Sequence, residues 1–163
     1  MKRVQNITKI GVLCALAMIL SYIELLLPPI YAAAPGIKVG LANIVIIYAL
    51  YVLGVKHAAT ISFIRFTLSA ILFNPSTFLY SLAGAALSLF AMALMKKSNA
   101  FSTVGISIAG GVLHNLGQII VAICLLETVE IGYYMFILAI SGTLAGIFIG
   151  LAASFIISRI KKL

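Results

Sequence analysis

Apolar residues fall in six long segments, at about 7–27, 39–53, 58–73, 77–95, 104–126 and 132–158, parted by short stretches that hold most of the polar and chain-breaking residues. These segments predict helices. In hydrocarbon every backbone N–H and C=O must be satisfied within its own segment, and about 20 residues at about 1.5 Å rise cross a bilayer core. The second and third runs are shorter than that. The connections carry the expected punctuation: Pro28, Pro29, Pro35 and Gly36, then 54–57, then Asn74, Pro75 and Ser76, then 96–99, then 127–131. Only the first is long enough to fold over something.

One interruption stands out, PGIKVGLAN at 35–43. The Pro-Gly pair ends what precedes it, and Lys38, Gly40 and Asn43 then open a new apolar run that must bury or pair their polar groups. A polar helix start at the outer face of a membrane is a natural ligand mouth.

Composition turns the helical reading into a membrane reading. Of 163 residues, 64% are hydrophobic and 9% charged, and the mean hydropathy is +1.25, too apolar for a soluble core of this size to hide. The expected architecture is an all-α, six-transmembrane-helix bundle, a single integral membrane domain over 1–163. The eleven Lys and Arg against three Glu do not form a nucleic-acid stripe. If the six helices alternate, Lys2, Arg3, Lys9, Lys56, Lys96, Lys97, Arg159, Lys161 and Lys162 share one side, which the positive-inside rule makes the cytoplasm. Both termini are then cytoplasmic, in a prokaryotic cell membrane, with Glu24, Lys38, Glu127 and Glu130 near the outer face. The N-terminal run at 10–27 exceeds a signal-peptide core, and Pro35 would follow the cleavage-like Ala32 and Ala34, so it is read as a span.

The sequence also excludes chemistry. It has no aspartate, which removes the aspartate-rich magnesium-diphosphate motif of prenyl diphosphate synthases, and no Walker A loop, so any ATP use belongs to a partner. No nucleophile, base and orienter assemble at workable spacing, so no enzyme activity is expected. Neither a cofactor nor a metal site is expected, since His57 sits at the cytoplasmic edge and no ligand set completes around it. Cys14 and Cys124 read as reduced packing residues.

Small residues mark packing faces. Gly142, Gly146, Gly150, Ser154 and Ser158 recur every four residues, letting a second helix approach closely, either within the bundle or from a partner. A shorter version, Gly11, Ala15 and Ala17, lies in the first helix.

Polar residues at membrane depth are the candidate site. Arg65 lies about eight residues, or about 12 Å, into the third helix. An arginine there costs about 3 kcal/mol on insertion scales, so it faces the interior and either pairs structurally or contacts ligand. His114 and Gln118, four apart with Asn115 beside them, make a polar face thinned by Gly110, Gly111 and Gly117. Asn43, about five residues into its run, is expected to bond across helices or to ligand, while Lys38 either does the same or snorkels to the headgroups. Together Glu24, Lys38, Asn43, Arg65, His114, Asn115 and Gln118 are expected to line one cavity between helices one, two, three and five. Lys38, Arg65 and His114 favour an anionic or carbonyl-rich ligand.

PGIKVGLAN after the first hairpin and GGVLHNLGQ at 110–118 on the fifth helix, within six helices of this length, resemble the Gx transporter family. That family is also catalogued as heptaprenyl diphosphate synthase component I and is similar to the S components of energy-coupling factor (ECF) transporters. The resemblance implies a six-helix vitamin-binding subunit working with a transmembrane coupling protein and two ATPases. It also implies that Gly11 and Ala15 meet the coupling protein, although the usual alanine pair is here a glycine and an alanine, and that 28–37 closes over substrate. The synthase label fits poorly with a chain lacking aspartate. Two readings follow: a substrate-binding S component for a small vitamin-like or cofactor-precursor molecule, or a non-transporting membrane subunit assisting isoprenoid or quinone synthesis or membrane electron transfer.

Overall fold

A computed structural model describes residues 2–26, 40–73, 75 and 78–160, with side chains from Val4 onward. Six α-helices follow in order: α1 (Lys2–Leu26), α2 (Asn43–Val52), α3 (Val55–Leu72), α4 (Phe78–Ser98), α5 (Thr103–Leu126) and α6 (Tyr134–Ile160). A 3₁₀ turn, Val129–Tyr133, leads into α6, and no strand occurs among the described residues. Five of these helical stretches are long and apolar enough to cross a membrane. Their outward faces are aliphatic and aromatic, as a lipid-facing surface requires: Ile7, Phe63, Phe90, Phe136 and Phe155 are all exposed.

Local signals explain where several helices begin and end. Ser102 starts α5, its hydroxyl accepting from Gly105 N at 3.1 Å, which satisfies one of the orphan N–H groups of the first turn. At the other end Glu127 takes a left-handed conformation that stops the helix. Between α2 and α3 the link is only Leu53 and Gly54, and Gly54 has φ of 92°, open to glycine and strained for other residues.

The expected boundaries need three corrections. The stretch 54–57 is not a connection, because α3 starts at Val55 and His57 lies in its first turn, its Nδ1 2.9 Å from Leu53 O. This places Arg65 ten residues, or about 15 Å, into α3. Lys96 and Lys97 likewise belong to the last turn of α4. The largest difference is α2. It spans ten residues, about 15 Å, and Asn43 is its first residue rather than lying a turn inside it.

That short helix does not start at the edge of the bundle. A Cβ at Gly40 would stand 3.4 Å from Ile149 Cδ1, and Ile149 lies near mid-length of the 27-residue α6. Counting along the hairpin agrees: Asn43 and Arg65 are each about ten residues from the Leu53–Gly54 link, so they lie level. The described part of PGIKVGLAN is therefore inside the molecule and not at its outer face.

A half-length helix leaves both ends of its dipole in a poorly solvated place, and both are answered by side chains from other helices. At the N-terminal end the Glu24 carboxylate of α1 accepts from Gly40 N–H, and at the C-terminal end Lys96 of α4 donates to Leu50 O. Anion at the start and cation at the finish is the favourable arrangement. Lys96 also sits over the Tyr51 ring, 5.2 Å from its centroid. Below the cavity α2 packs into the apolar core, where Ile47, Leu50, Ile61 and Ile106 are fully buried.

The remaining helices meet through glycine. In α6, a Cβ on Gly146 would fall 2.5 Å from Ile108 Cα, and one on Gly150 2.7 Å from Val104 Cα. The three glycines of the four-residue stripe are thus a contact with α5 inside the bundle, whereas Ser158 at its end is exposed. On the opposite side of α5, a Cβ on Gly117 would fall 2.7 Å from Ala83 O of α4. Helix α1 is different. It leans on α3 and α2, Cys14 and Ala17 pointing inward while Gly11 and Ala15 stay exposed. Cys124 is exposed on α5, so only Cys14 of the two cysteines is a packing residue.

Candidate functional site

The ends of α1, α3 and α5 that follow the chain upward, and the starts of α4 and α6, converge on one face of the bundle, opposite the face bearing Lys96, Lys97 and Arg159. Beneath that face lies a cavity of about 510 Å³. The volume suits a small organic molecule. Its lining includes Glu24, Asn43, Arg65, His114, Asn115 and Gln118, so the structure brings these six together; Lys38 and the segment 28–37 lie outside the described residues. All six helices contribute wall, whereas the sequence pointed to four. Tyr80 and Ser81 come from α4, and Leu138, Gly142, Ala145 and Ile149 from α6.

The side chains differ in what they have left to offer. Asn115 Nδ2 donates to Leu138 O at 2.8 Å, bridging α5 to α6. That reach exists because residue 142 is glycine, since a Cβ there would come 3.0 Å from Asn115 Nδ2. His114 and Gln118 pair through Nε2 and Nε2 at 3.3 Å, one turn apart on α5. Gly84 of α4 is what admits the His114 ring: a Cβ there would stand 3.1 Å from His114 Cε1. The imidazole is therefore packed against α4 on one side and paired with Gln118 on the other. Among the described residues no cluster of His, Cys, Asp or Glu has a metal-binding arrangement.

The opposite wall is less committed. Glu24 has one oxygen engaged by Gly40 N–H. Asn43 folds its amide over Gly40, with Nδ2 3.0 Å from where a Cβ would stand, and its amide makes no hydrogen bond among the described residues. Arg65 is partly buried where it lines the cavity, and its Nε is fully buried with no hydrogen-bond partner. Glu24 is the opposite charge it feels across the cavity, yet the two form no ion pair. A guanidinium in such a place, facing a carboxylate without pairing to it, is costly to keep.

Tyr80 and Ser81 escaped the sequence reading. They are two hydroxyls one turn into an apolar helix, and only the antiparallel pairing of α3 with α4, seen in the 5.8 Å approach of the Phe66 and Phe78 rings, sets them at the level of Arg65. Gly11 and Ala15 lie away from the cavity on the exposed face of α1, and a Cβ at Gly11 would meet nothing within 4 Å.

A family model described as heptaprenyl diphosphate synthase component I matches residues 13–156. Searches of curated proteins and of solved structures return no match. The matched range takes in most of α1, the whole of α2 to α5, every described residue of the cavity wall and nearly all of α6, and on that extent the chain belongs to the heptaprenyl diphosphate synthase component I family.

Proposed function

We propose that the protein is the membrane-embedded substrate-binding subunit, or S component, of an ECF-type transporter that imports a small vitamin-like or cofactor-precursor molecule. The observation that carries this reading is the 510 Å³ cavity lined by Glu24, Asn43, Arg65, His114, Asn115 and Gln118. A membrane bundle has no packing reason to keep so many polar groups around an open space, since such groups inside hydrocarbon are expensive and serve ligand or transport paths. In this reading both termini and the basic rim face the cytoplasm, the cavity opens outward, and a coupling transmembrane protein with two ATPases supplies the motion. The exposed small-residue patch at Gly11 and Ala15 is the docking surface for the coupling protein. The chain itself performs no chemistry and needs no cofactor.

The test is a thermal-shift screen of the purified protein against vitamins, flavins and quinone precursors, together with affinity purification from its native membrane. Stabilisation by one compound and recovery of a coupling protein support the proposal. No stabilisation by any compound, with no coupling protein recovered, defeats it.

The family's description favours a second reading, a non-transporting membrane subunit that assists isoprenoid or quinone synthesis or membrane electron transfer. Recovery of a soluble prenyltransferase or a redox enzyme, with a phenotype indifferent to loss of the ATPases, selects it.

A further inference from the structure

We infer that the cavity takes an anion: the molecule bound there carries a carboxylate or phosphate that seats on Arg65 beside Asn43 at the N-terminal end of α2, and its uncharged part lies toward the His114–Gln118 wall. This deepens the proposed function and rests on it only for the identity of the cavity as a ligand site.

Four observations converge. Arg65 lines the cavity, is partly buried, and leaves a fully buried Nε without a partner. A guanidinium offers five donors in a planar fork, a shape that carboxylate and phosphate oxygens meet two at a time. The second observation is the position of α2, whose first turn lies level with Arg65 and against the middle of α6, so the positive end of a helix dipole, which already takes Glu24 through Gly40 N–H, falls at the cavity wall beside Arg65. Third, the Asn43 amide faces the same space with no hydrogen bond to any described residue. Fourth, the far wall is uncharged and its α5 nitrogens are engaged: Asn115 Nδ2 donates to Leu138 O, and His114 and Gln118 pair through their Nε2 atoms. What remains there is Gln118 Oε1 and Asn115 Oδ1, acceptors suited to an N–H or O–H of the neutral part of the ligand, with the uncharged hydroxyls of Tyr80 and Ser81 on α4.

Glu24 is the one charge that opposes this assignment. Its carboxylate already accepts from Gly40 N–H at the start of α2, and although it is the opposite charge that Arg65 feels across the cavity, the two form no ion pair, so the guanidinium fork stays open to a second anion. Glu24 thereby acts as a positioning residue that holds the first turn of α2 against the site.

The experiment is a thermal-shift titration of the full chain in detergent with matched probes: benzoate against benzamide, phenyl phosphate against phenol, and phosphatidylglycerol against phosphatidylcholine. Each is run on wild type, Arg65→Lys and Arg65→Gln, with gel filtration and circular dichroism confirming that the variants are folded. The expected result is stabilisation by the charged member of a pair and not by the neutral one, weakened about tenfold to a hundredfold in Arg65→Gln and partly kept in Arg65→Lys. Should Arg65→Gln not fold, the charged-against-neutral comparison on wild type and Arg65→Lys decides. A response confined to phosphatidylglycerol keeps the anion subsite and identifies its occupant as a lipid headgroup, which counts against the import of a soluble molecule. Equal responses within every pair, or a charged response unchanged in Arg65→Gln, overturn the inference. A neutral vitamin binding with full affinity to Arg65→Gln overturns it while leaving the transport reading in place.

Discussion

The wall built by α4, α5 and α6 and the wall built by α1, α2 and α3 are made in different ways. In the first, glycines bring backbones together so closely that a Cβ at Gly84, Gly117, Gly146 or Gly150 would fall within 3 Å of a neighbouring helix's atoms. In the second, aliphatic and aromatic side chains fill the contacts, and α1 leaves much of its surface exposed, with Ser69 Oγ 3.7 Å from Met18 Sδ and the Tyr22 and Phe73 rings 6.0 Å apart as its ties to α3. The site chemistry follows the same division. His114, Asn115 and Gln118 on the glycine-packed wall are bonded to protein, while Arg65 and Asn43 on the other wall are not. Close packing goes with the bonded half of the cavity, and the other half keeps its unpaired Arg65 and Asn43 groups.

This division is broken most directly at Gly146. Gly146→Leu places side-chain atoms where Ile108 Cα stands 2.5 Å from the new Cβ, and backbone cannot step aside as a flexible side chain can. The expected loss is about 3 kcal/mol, read as a collapse of the monodisperse gel-filtration peak on heating. A variant as heat-stable as wild type would show that α5 and α6 are not the rigid half.

Next in size is Glu24→Ala. It removes the acceptor of Gly40 N–H and leaves the N-terminal end of α2 without its anion. Because the side chain is partly exposed, the expected loss is about 1.5 kcal/mol in detergent stability, with Glu24→Gln recovering part of it. Asn115→Leu comes third, at about 1 kcal/mol, since one bond between α5 and α6 in a membrane is modest beside the glycine contacts that persist around it. If Asn115→Leu cost more than Glu24→Ala, polar bonding and not close packing would be what holds the first wall.

Much of this fold was readable in the sequence because hydrocarbon imposes one rule on every segment. Five of the six apolar runs correspond to helices of spanning length, and the α6 stripe announced a close approach through its spacing alone. The start of α2 was not readable. Val39 to Leu53 is uniformly apolar but for Gly40 and Asn43, and hydropathy does not say that Gly40 turns the chain with φ of 77° against Ile149. The polar residues of the cavity were visible because each is conspicuous in an apolar run. Their unequal commitments were not visible, since Asn115 is spent only because Gly142 lies opposite, across an antiparallel pairing that a single sequence does not record. Tyr80 and Ser81 were missed for the same reason.

The smallest effect on stability is expected at Gly11, and it is the most informative about the second wall. A Cβ there meets nothing within 4 Å, and the residue is exposed, so Gly11→Leu should change detergent stability by no more than about 0.5 kcal/mol. If the loosely packed α1 exposes this patch for a partner helix, the same substitution removes the close approach that a small residue permits, and recovery of the coupling protein in affinity purification should fall severalfold while ligand-induced stabilisation stays as in wild type. Unchanged recovery in Gly11→Leu and in Ala15→Leu would leave α1 exposed to lipid alone, and the contrast between the two walls would then concern ligand binding and not assembly.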